Sequence, residues 1–171
     1  EEVVKYLRPW VKKKKAWALS MMGQMYRLGE GVKQSYEMAR MLFEQAAQQG
    51  DASAMVDLGN MYSKGQGVEQ SYEKAKEYYK QAAQLGYATA MSNLGVMYDN
   101  GLGVEQSYEK AFEYYEQAAQ LGDAQAQYNL GCCYANGVGV EQNMAAAKEW
   151  AEKSAAQGNE NAIAILKSLK N

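Results

Sequence analysis

Residues 50–85 read GDASAMVDLGNMYSKGQGVEQSYEKAKEYYKQAAQL, and residues 86–121 follow without a gap as GYATAMSNLGVMYDNGLGVEQSYEKAFEYYEQAAQL. The two stretches are identical at 26 of 36 positions. Residues 14–49 precede them and residues 122–157 follow them in the same frame, with glycine and tyrosine landmarks every 36 residues. Self-similarity at this period predicts an array in which copies of one small repeat stack on their neighbours.

Each repeat has the pattern of two helices joined by a glycine-rich turn. Between residues 52 and 64 apolar side chains, among them Met55, Leu58 and Tyr62, recur at helical spacing. Gly65 follows, and glycine readily adopts the left-handed conformation that ends many helices. Ser71 then has a side chain preferred at a helix N-cap. We therefore predict a first helix, called helix A, and a second helix, called helix B, in every repeat.

One glycine lies in the middle of every predicted helix A, namely Gly23, Gly59, Gly95 and Gly131. Glycine inside a helix costs about 0.5–1 kcal/mol relative to alanine. Because this cost recurs in four repeats, we expect a contact that offsets it. The sequence favours a close approach of helix B, which any side chain at this position would block.

The predicted fold is all-α, a right-handed α–α superhelix (solenoid) of about four repeats at residues 14–49, 50–85, 86–121 and 122–157. Residues 159–171 align with helix A, but Lys167 stands where each earlier repeat has glycine. A terminal helix that lacks a neighbour can expose a lysine there, so this segment is predicted to be a C-terminal capping helix. Residues 1–13 fit the repeat poorly and are interpreted either as an N-terminal cap or as a linker stub.

The composition limits the classes of function. The net charge is −2, and there is no histidine, which removes the commonest general base and metal ligand. No apolar run approaches the length of about 18 residues needed to span a membrane. Cys132 and Cys133, the only cysteines, are adjacent and cannot join two elements by a disulfide bond. Reduced cysteines favour a cytoplasmic protein. A secreted protein whose signal peptide has been removed is the alternative.

The order of residues within a repeat resembles the Sel-one-like repeat family. The matching residues are Ala54, Leu58, Gly59, Tyr62, Gly65, Gly67, Val68, Lys74, Ala75, Tyr78, Tyr79, Ala82 and Ala83. The resemblance covers residues 14–170 and implies a tetratricopeptide-like solenoid that acts as an adaptor for protein complexes. Some secreted family members with paired cysteines are linked to β-lactam binding. This chain lacks those cysteines, so we do not expect that activity.

No residue pattern predicts catalysis, a cofactor or a metal site. Cys132 has no histidine to activate it as a nucleophile, and Cys133 aligns with core methionines of other repeats. The Gly-x-Gly pairs resemble phosphate-binding loops, but they join two helices and recur in every repeat, so a structural role is favoured. A basic run suggests weak nucleic-acid binding, although a solvated helix edge is favoured. This run is Lys12, Lys13, Lys14 and Lys15.

The ten differences between residues 50–85 and residues 86–121 are unevenly placed. Six lie on one side of helix A, opposite its apolar stripe, whereas the exposed positions of helix B barely change. In tetratricopeptide-like solenoids helix A lines the concave surface, which such arrays use for binding. We call this side the variable face and expect it to bind a peptide or protein segment. Its predicted residues are Trp17, Ser20, Gln24, Arg27, Ser53, Val56, Asn60, Ser63, Lys64, Thr89, Ser92, Val96, Asp99, Gln125, Tyr128 and Cys132.

The leading functional hypothesis is a non-catalytic protein-interaction scaffold. Trp17 and Tyr128 are the expected anchors of the bound segment, because aromatic residues are enriched at binding hot spots. Two alternatives remain open at this point. One is a structural spacer or tethering module of a longer protein, and the other is an engineered repeat scaffold, suggested by the near identity of the second and third repeats.

Overall fold

The computed structural model describes residues 2–168, and every regular element within that range is an α-helix. The helices in chain order are α1 (Glu2–Lys12), α2 (Ala16–Leu28), α3 (Tyr36–Ala47), α4 (Ala52–Lys64), α5 (Tyr72–Gln84), α6 (Ala88–Asn100), α7 (Tyr108–Gln120), α8 (Ala124–Asn136), α9 (Met144–Ala156) and α10 (Glu160–Ser168). Helices α2, α4, α6 and α8 are the predicted A helices, and α3, α5, α7 and α9 are the B helices. The chain divides into two compact units, with α1 to α5 in the first unit and α6 to α10 in the second.

Local capping sets the helix boundaries. The helix predicted at residues 52–64 is α4, and the Asp51 carboxylate caps it by accepting a hydrogen bond from a backbone N–H of its first turn at 2.9 Å. Gly65 ends α4 in the left-handed conformation, with φ 65°. Ser71 caps α5 by accepting a hydrogen bond from the Lys74 N–H at 3.3 Å. The other B helices are capped at the equivalent positions by Ser35, Ser107 and Asn143.

Each unit has its own apolar core. In the first unit, α1 to α4 supply the buried side chains, which include Leu7, Phe43 and Leu58. In the second unit, α7 and α8 supply a core that includes Leu130 and Cys133. Cys133 is only 8% exposed, so its predicted core position is confirmed. The B helices also bury small alanines, among them Ala39, Ala75 and Ala118.

Aromatic rings of helix B lie directly against the mid-helix glycines. A Cβ atom on Gly95 would lie 2.6 Å from the Tyr115 ring, and one on Gly23 would lie 2.7 Å from the Phe43 ring. Gly59 meets the ring of its own helix B in the same way. The predicted close approach is therefore confirmed. Gly131 differs, because the nearest atom to its Cβ position would be the carbonyl oxygen of Ala147 at 3.2 Å.

The two ends of the described chain are both helical. Helix α1 packs against α2 and buries Val4 and Leu7. At the other end α10 buries Ala162, while Lys167 is exposed at the position where earlier repeats have glycine. The predicted capping segment also included residues 169–171, which lie outside the described residues, as does residue 1.

Candidate functional site

The variable face lies on α2 and α4 in the first unit and on α6 and α8 in the second. Four of its predicted side chains are exposed, namely Trp17, Lys64, Thr89 and Gln125. The half-buried members are Gln24, Arg27, Ser53, Asn60, Ser63, Val96, Asp99, Tyr128 and Cys132. The face is therefore only partly open, and its members differ in what they can contact.

Three predicted members are buried and do not belong to an open surface. Ser20, Val56 and Ser92 are 7%, 6% and 3% exposed, respectively. On α6 the reason is visible one turn before Ser92, where the Thr89 hydroxyl donates a hydrogen bond to the Asp123 carboxylate at 3.1 Å. This side of α6 thus faces the start of α8. A neighbouring A helix covers part of the face, and the pattern of a single helix cannot reveal that.

Asn60 and Asp99 are hydrogen-bonded within the fold. The Tyr79 hydroxyl donates to Asn60 Oδ1 at 2.7 Å, and the Tyr115 hydroxyl donates to Asp99 Oδ2 at 3.4 Å. Both rings are buried, and burial raises the pKa of both phenols. These helix A side chains therefore satisfy buried hydroxyl groups of helix B, a role that the sequence analysis missed. The sequence does contain a signal for this role. The second and third repeats have tyrosine where the first has Phe43, and a buried phenol needs a hydrogen-bond partner.

Gln24 and Arg27 face a buried carboxylate. The Gln24 amide donates from Nε2 to Asp57 Oδ2 at 3.1 Å and so joins α2 to α4. Asp57 is 7% exposed, and burial raises its pKa against the opposing effects of the Gln24 hydrogen bond and the Arg27 charge. Arg27 Nε is also buried and has no hydrogen-bond partner among residues 2–168. Asp57 is one of the six helix A positions that differ between the two most similar repeats, and it is not among the predicted residues of the variable face.

Tyr128 and Cys132 line an apolar cleft of about 170 Å³ in the second unit. The cleft lies between α8, α9 and α10. Its walls include Tyr128, Cys132 and Ala135 of α8, Ala147 and Ala151 of α9, and Ile165 of α10. The structure therefore brings two predicted site residues together on one wall. The opposite walls come from α9 and α10. Sequence variation on helix A could not indicate that these two helices take part.

A more polar cleft of about 390 Å³ lies in the first unit, between α3, α4 and α5. Within it the Tyr62 and Tyr78 rings stack with centroids 5.7 Å apart, and the Lys74 ammonium group lies 5.1 Å from the Tyr62 centroid. The second unit repeats this arrangement with Tyr98, Tyr114 and Lys110. An arrangement that recurs in this way belongs to the framework of the repeat rather than to one individual site.

The two thiols are poorly suited to nucleophilic chemistry. Both cysteines are free. Burial raises the pKa of Cys133 to about 11 and also raises the pKa of Cys132. Since the thiolate is the reactive form, both thiols are largely protonated and unreactive at neutral pH.

The described residues contain neither a metal-binding cluster nor a membrane span. Within residues 2–168 no group of three or more His, Cys, Asp or Glu side chains is placed to hold a metal ion. None of the helices in this range is both long enough and apolar enough to cross a membrane.

The glycine pairs and the basic run occupy identifiable places in the fold. A Cβ atom on Gly67 would lie 3.3 Å from the backbone carbonyl carbon of Tyr36, so this loop packs on the start of the preceding helix B. The basic run is exposed, with Lys12 as the last residue of α1 and the other three lysines in the turn before α2. The ammonium group of Lys13 lies 5.2 Å from the centroid of the Trp10 ring. The glycine pair is thus explained by packing.

Comparison with known proteins agrees with the four repeats. The sequence model of the Sel1 repeat matches residues 18–51, 52–87, 88–123 and 124–159. These matches cover the same four helix pairs in a frame that begins two to four residues later than the one defined above. No curated protein matches the chain.

Several solved structures are similar to this chain. A Sel1 repeat protein from Oxalobacter formigenes is 33% identical with a TM-score of 0.91, and the match covers 96% of this chain and 67% of that one. A protective antigen of uropathogenic Escherichia coli strains, which displays an SLR fold, is 34% identical with a TM-score of 0.84, covering 92% and 34%. The immunity protein Pa5087 from Pseudomonas aeruginosa is 25% identical with a TM-score of 0.67, covering 93% and 59%.

The repeat matches, the helix pairs and the similar structures agree on the architecture. The fold is an all-helical solenoid of four repeats followed by a C-terminal helix. Proteins of this kind are generally scaffolds for protein interactions and are typically non-catalytic. The chain spans about a third of the length of the Escherichia coli antigen and two thirds of the Oxalobacter protein. It belongs to the Sel1 repeat family.

Proposed function

We propose that this chain is an adaptor that binds a peptide or protein segment on the open part of the variable face. The observation that carries the proposal is the uneven change between the two most similar repeats. Six of their ten differences lie on helix A, four of them at positions that are exposed or half-buried in both repeats, while most exposed residues of helix B recur. Random surface drift would change both helices alike. Binding through helix A explains why its open side chains differ from repeat to repeat.

The open part of the face carries one aromatic side chain in each unit. In the first unit Trp17 is 45% exposed, and its ring packs beside the Trp10 ring with centroids 5.8 Å apart. In the second unit Tyr128 is half-buried at the apolar cleft, near exposed Gln125. An aromatic anchor beside polar groups suits a peptide, because such anchors supply much of the binding energy while polar neighbours fix the orientation.

Asn60 has no place in this proposal. Its side chain accepts the Tyr79 hydrogen bond, so its removal would leave a buried phenol without that partner. An Asn60→Ala variant would lose stability as well as any contact with a ligand. Tyr128 and Trp17 therefore give the cleaner test.

The test uses peptides selected from a random phage-displayed library on the wild-type chain. Dissociation constants are then measured for the wild type, Trp17→Ala and Tyr128→Ala. For the variant that removes the anchor in contact with the peptide, we expect the dissociation constant to rise about thirtyfold or more, since a hot-spot truncation costs about 2 kcal/mol or more.

The matched controls lie away from the variable face. Glu73→Ala removes an exposed carboxylate and Gln81→Ala removes an exposed amide, both on α5, which is a helix B. Both should leave the dissociation constant unchanged. Weakening by the controls, together with no effect of either anchor variant, would contradict the proposed surface.

A further inference from the structure

The fourth repeat lacks a ring that the first three repeats have. The helix B position that packs on the helix A glycine holds Phe43, Tyr79 and Tyr115 in turn, but it holds Ala151 in the fourth repeat. These four positions are 36 residues apart. The apolar cleft of about 170 Å³ has Gly131 and Ala151, the two residues of this glycine contact, in its lining.

The residues that would contact the hydroxyl of the missing ring have also lost their strong hydrogen-bond acceptors. In the second repeat the Tyr79 hydroxyl donates to Asn60 and also interacts with Ser63. The equivalent positions in the fourth repeat are Cys132 and Ala135, both of which line the cleft. Strong hydrogen-bond acceptors have thus disappeared along with the phenol. The α9 backbone takes part of the ring's place, since a Cβ on Gly131 would lie 3.5 Å from the Ala151 nitrogen, and the cleft lies beside this contact.

We propose that this cleft, which lies beside the glycine contact where the other repeats bury their own ring, receives the phenylalanine side chain of a bound peptide. The volume is sufficient, since an apolar protein cavity of about 150 Å³ binds benzene. Phenylalanine is favoured over tyrosine because Cys132 and Ala135 replace the groups that hold the hydroxyl of Tyr79. The inference deepens the proposed function and rests on it, because it names the anchor pocket of the ligand.

A ring can reach the cleft from solvent. Met144 and Ile165 line it and are 54% and 37% exposed, and Lys148 is an exposed lining residue. In the first and third repeats the equivalent space is closed by the chain's own ring, which lies within contact distance of Gly23 or Gly95. The site is therefore specific to the fourth repeat.

The cleft can be tested without knowing the partner. Toluene, which has the ring and methyl group of phenylalanine, is titrated into the full chain carrying ¹³C-methyl alanine, and methyl shifts are followed by NMR. We expect saturable shifts of Ala135, Ala147 and Ala151. Ala111 is the internal control, because it is equivalent to Ala147 in the third repeat, where Tyr115 fills the space. Unchanged cleft methyls, or equal shifts at Ala111, would overturn the inference.

Two cleft-filling variants and one control sharpen the test. Ala151→Phe restores the ring of the other repeats, and Ala135→Leu fills the cleft from the half-buried side of α8. We expect both to weaken toluene binding about tenfold or more, while Ala145→Leu at an exposed position of α9 leaves it unchanged. Should Ala151→Phe fail to fold, Ala135→Leu alone decides, and full binding by a folded Ala135→Leu would contradict the site.

Selected peptides separate this inference from the proposed function. Peptides that bind in the cleft should lose about tenfold or more affinity on Phe→Ala substitution or with the Ala135→Leu chain. Peptide binding that is insensitive to both changes would overturn the cleft and leave the adaptor function standing. Toluene binding in the cleft with no peptide selected would instead overturn the adaptor function.

Discussion

Burial sets the chemistry of individual residues in this array, and Asp57 shows this most directly. Its carboxylate is 7% exposed, and burial raises its pKa above the usual value of 3.8. Folding therefore favours the protonated form. The stability that depends on protonated Asp57 is fully present at low pH and is lost as the pH rises through the raised pKa. At neutral pH the charge is a net cost to the fold, even with Gln24 and Arg27 nearby.

Replacing the charge by an amide should remove that cost. The third repeat already has Asn93 at the equivalent position, and an asparagine oxygen can still accept the Gln24 hydrogen bond. We expect Asp57→Asn to raise the urea midpoint at pH 7. The gain should disappear at about pH 3, where Asp57 itself is protonated. Glu30→Gln, in an exposed turn, is the control and should have little effect. A lower midpoint for Asp57→Asn at pH 7 would show that the Arg27 attraction dominates.

At the scale of helices, each pair is held by contact between a glycine of helix A and a residue of helix B. The Tyr115 ring lies where a side chain on Gly95 would have to go. The glycine therefore offsets its cost in helix propensity by allowing the ring to be buried. The ring in turn places its hydroxyl beside Asp99, so that packing and hydrogen bonding are linked.

Filling the glycine position should separate the helices of a pair. Overpacking a well-filled core costs about 1–3 kcal/mol or more, so we expect Gly95→Leu to lower the free energy of unfolding by at least that amount. Lys167→Leu places the same side chain at the equivalent position of α10, which is exposed, and should be close to neutral. Denaturant midpoints of the two variants check this. Equal midpoints for Gly95→Leu and the wild type would rule out the close-contact explanation.

For the molecule as a whole, buried tyrosine and cysteine side chains make the stability fall at alkaline pH. Burial raises the pKa of Tyr79, Tyr115 and Cys133, the last to about 11. In the unfolded chain these groups ionise at about 8.5 for cysteine and about 10 for tyrosine. The unfolded state therefore loses protons at lower pH than the folded state does, and stability falls as the pH rises.

We expect the free energy of unfolding to decline from about pH 9 upward, through the range in which cysteine and tyrosine ionise. Urea unfolding followed at several pH values would measure the slope. Cys133→Ala should reduce this slope at the lower end of the pH range, and Tyr115→Phe should reduce it at the upper end. Cys132 is a less buried comparison, and Cys132→Ala should change the slope less. A stability that is constant to pH 11 would contradict the burial of these groups.

Helix positions could be predicted well because their causes are local. Apolar spacing, the N-cap serines and the left-handed glycine after each helix A act over a few residues, so the bounds of α4 followed from residues 51–65 alone. The close approach at Gly95 was also predictable, since an unfavourable residue that recurs in four repeats requires a compensating contact. Only the identity of the ring that makes the contact had to come from the structure.

The open part of the variable face could not be predicted, because burial depends on neighbours far away in sequence. The Tyr79 hydroxyl that engages Asn60 is 19 residues away, and the Asp123 carboxylate that meets Thr89 is 34 residues away. Ser92 lies opposite the apolar stripe of its own helix and is nevertheless buried. The apolar cleft has the same origin, since its walls come from three helices. A repeat pattern shows which positions change, whereas packing determines which of those positions solvent or a ligand can reach.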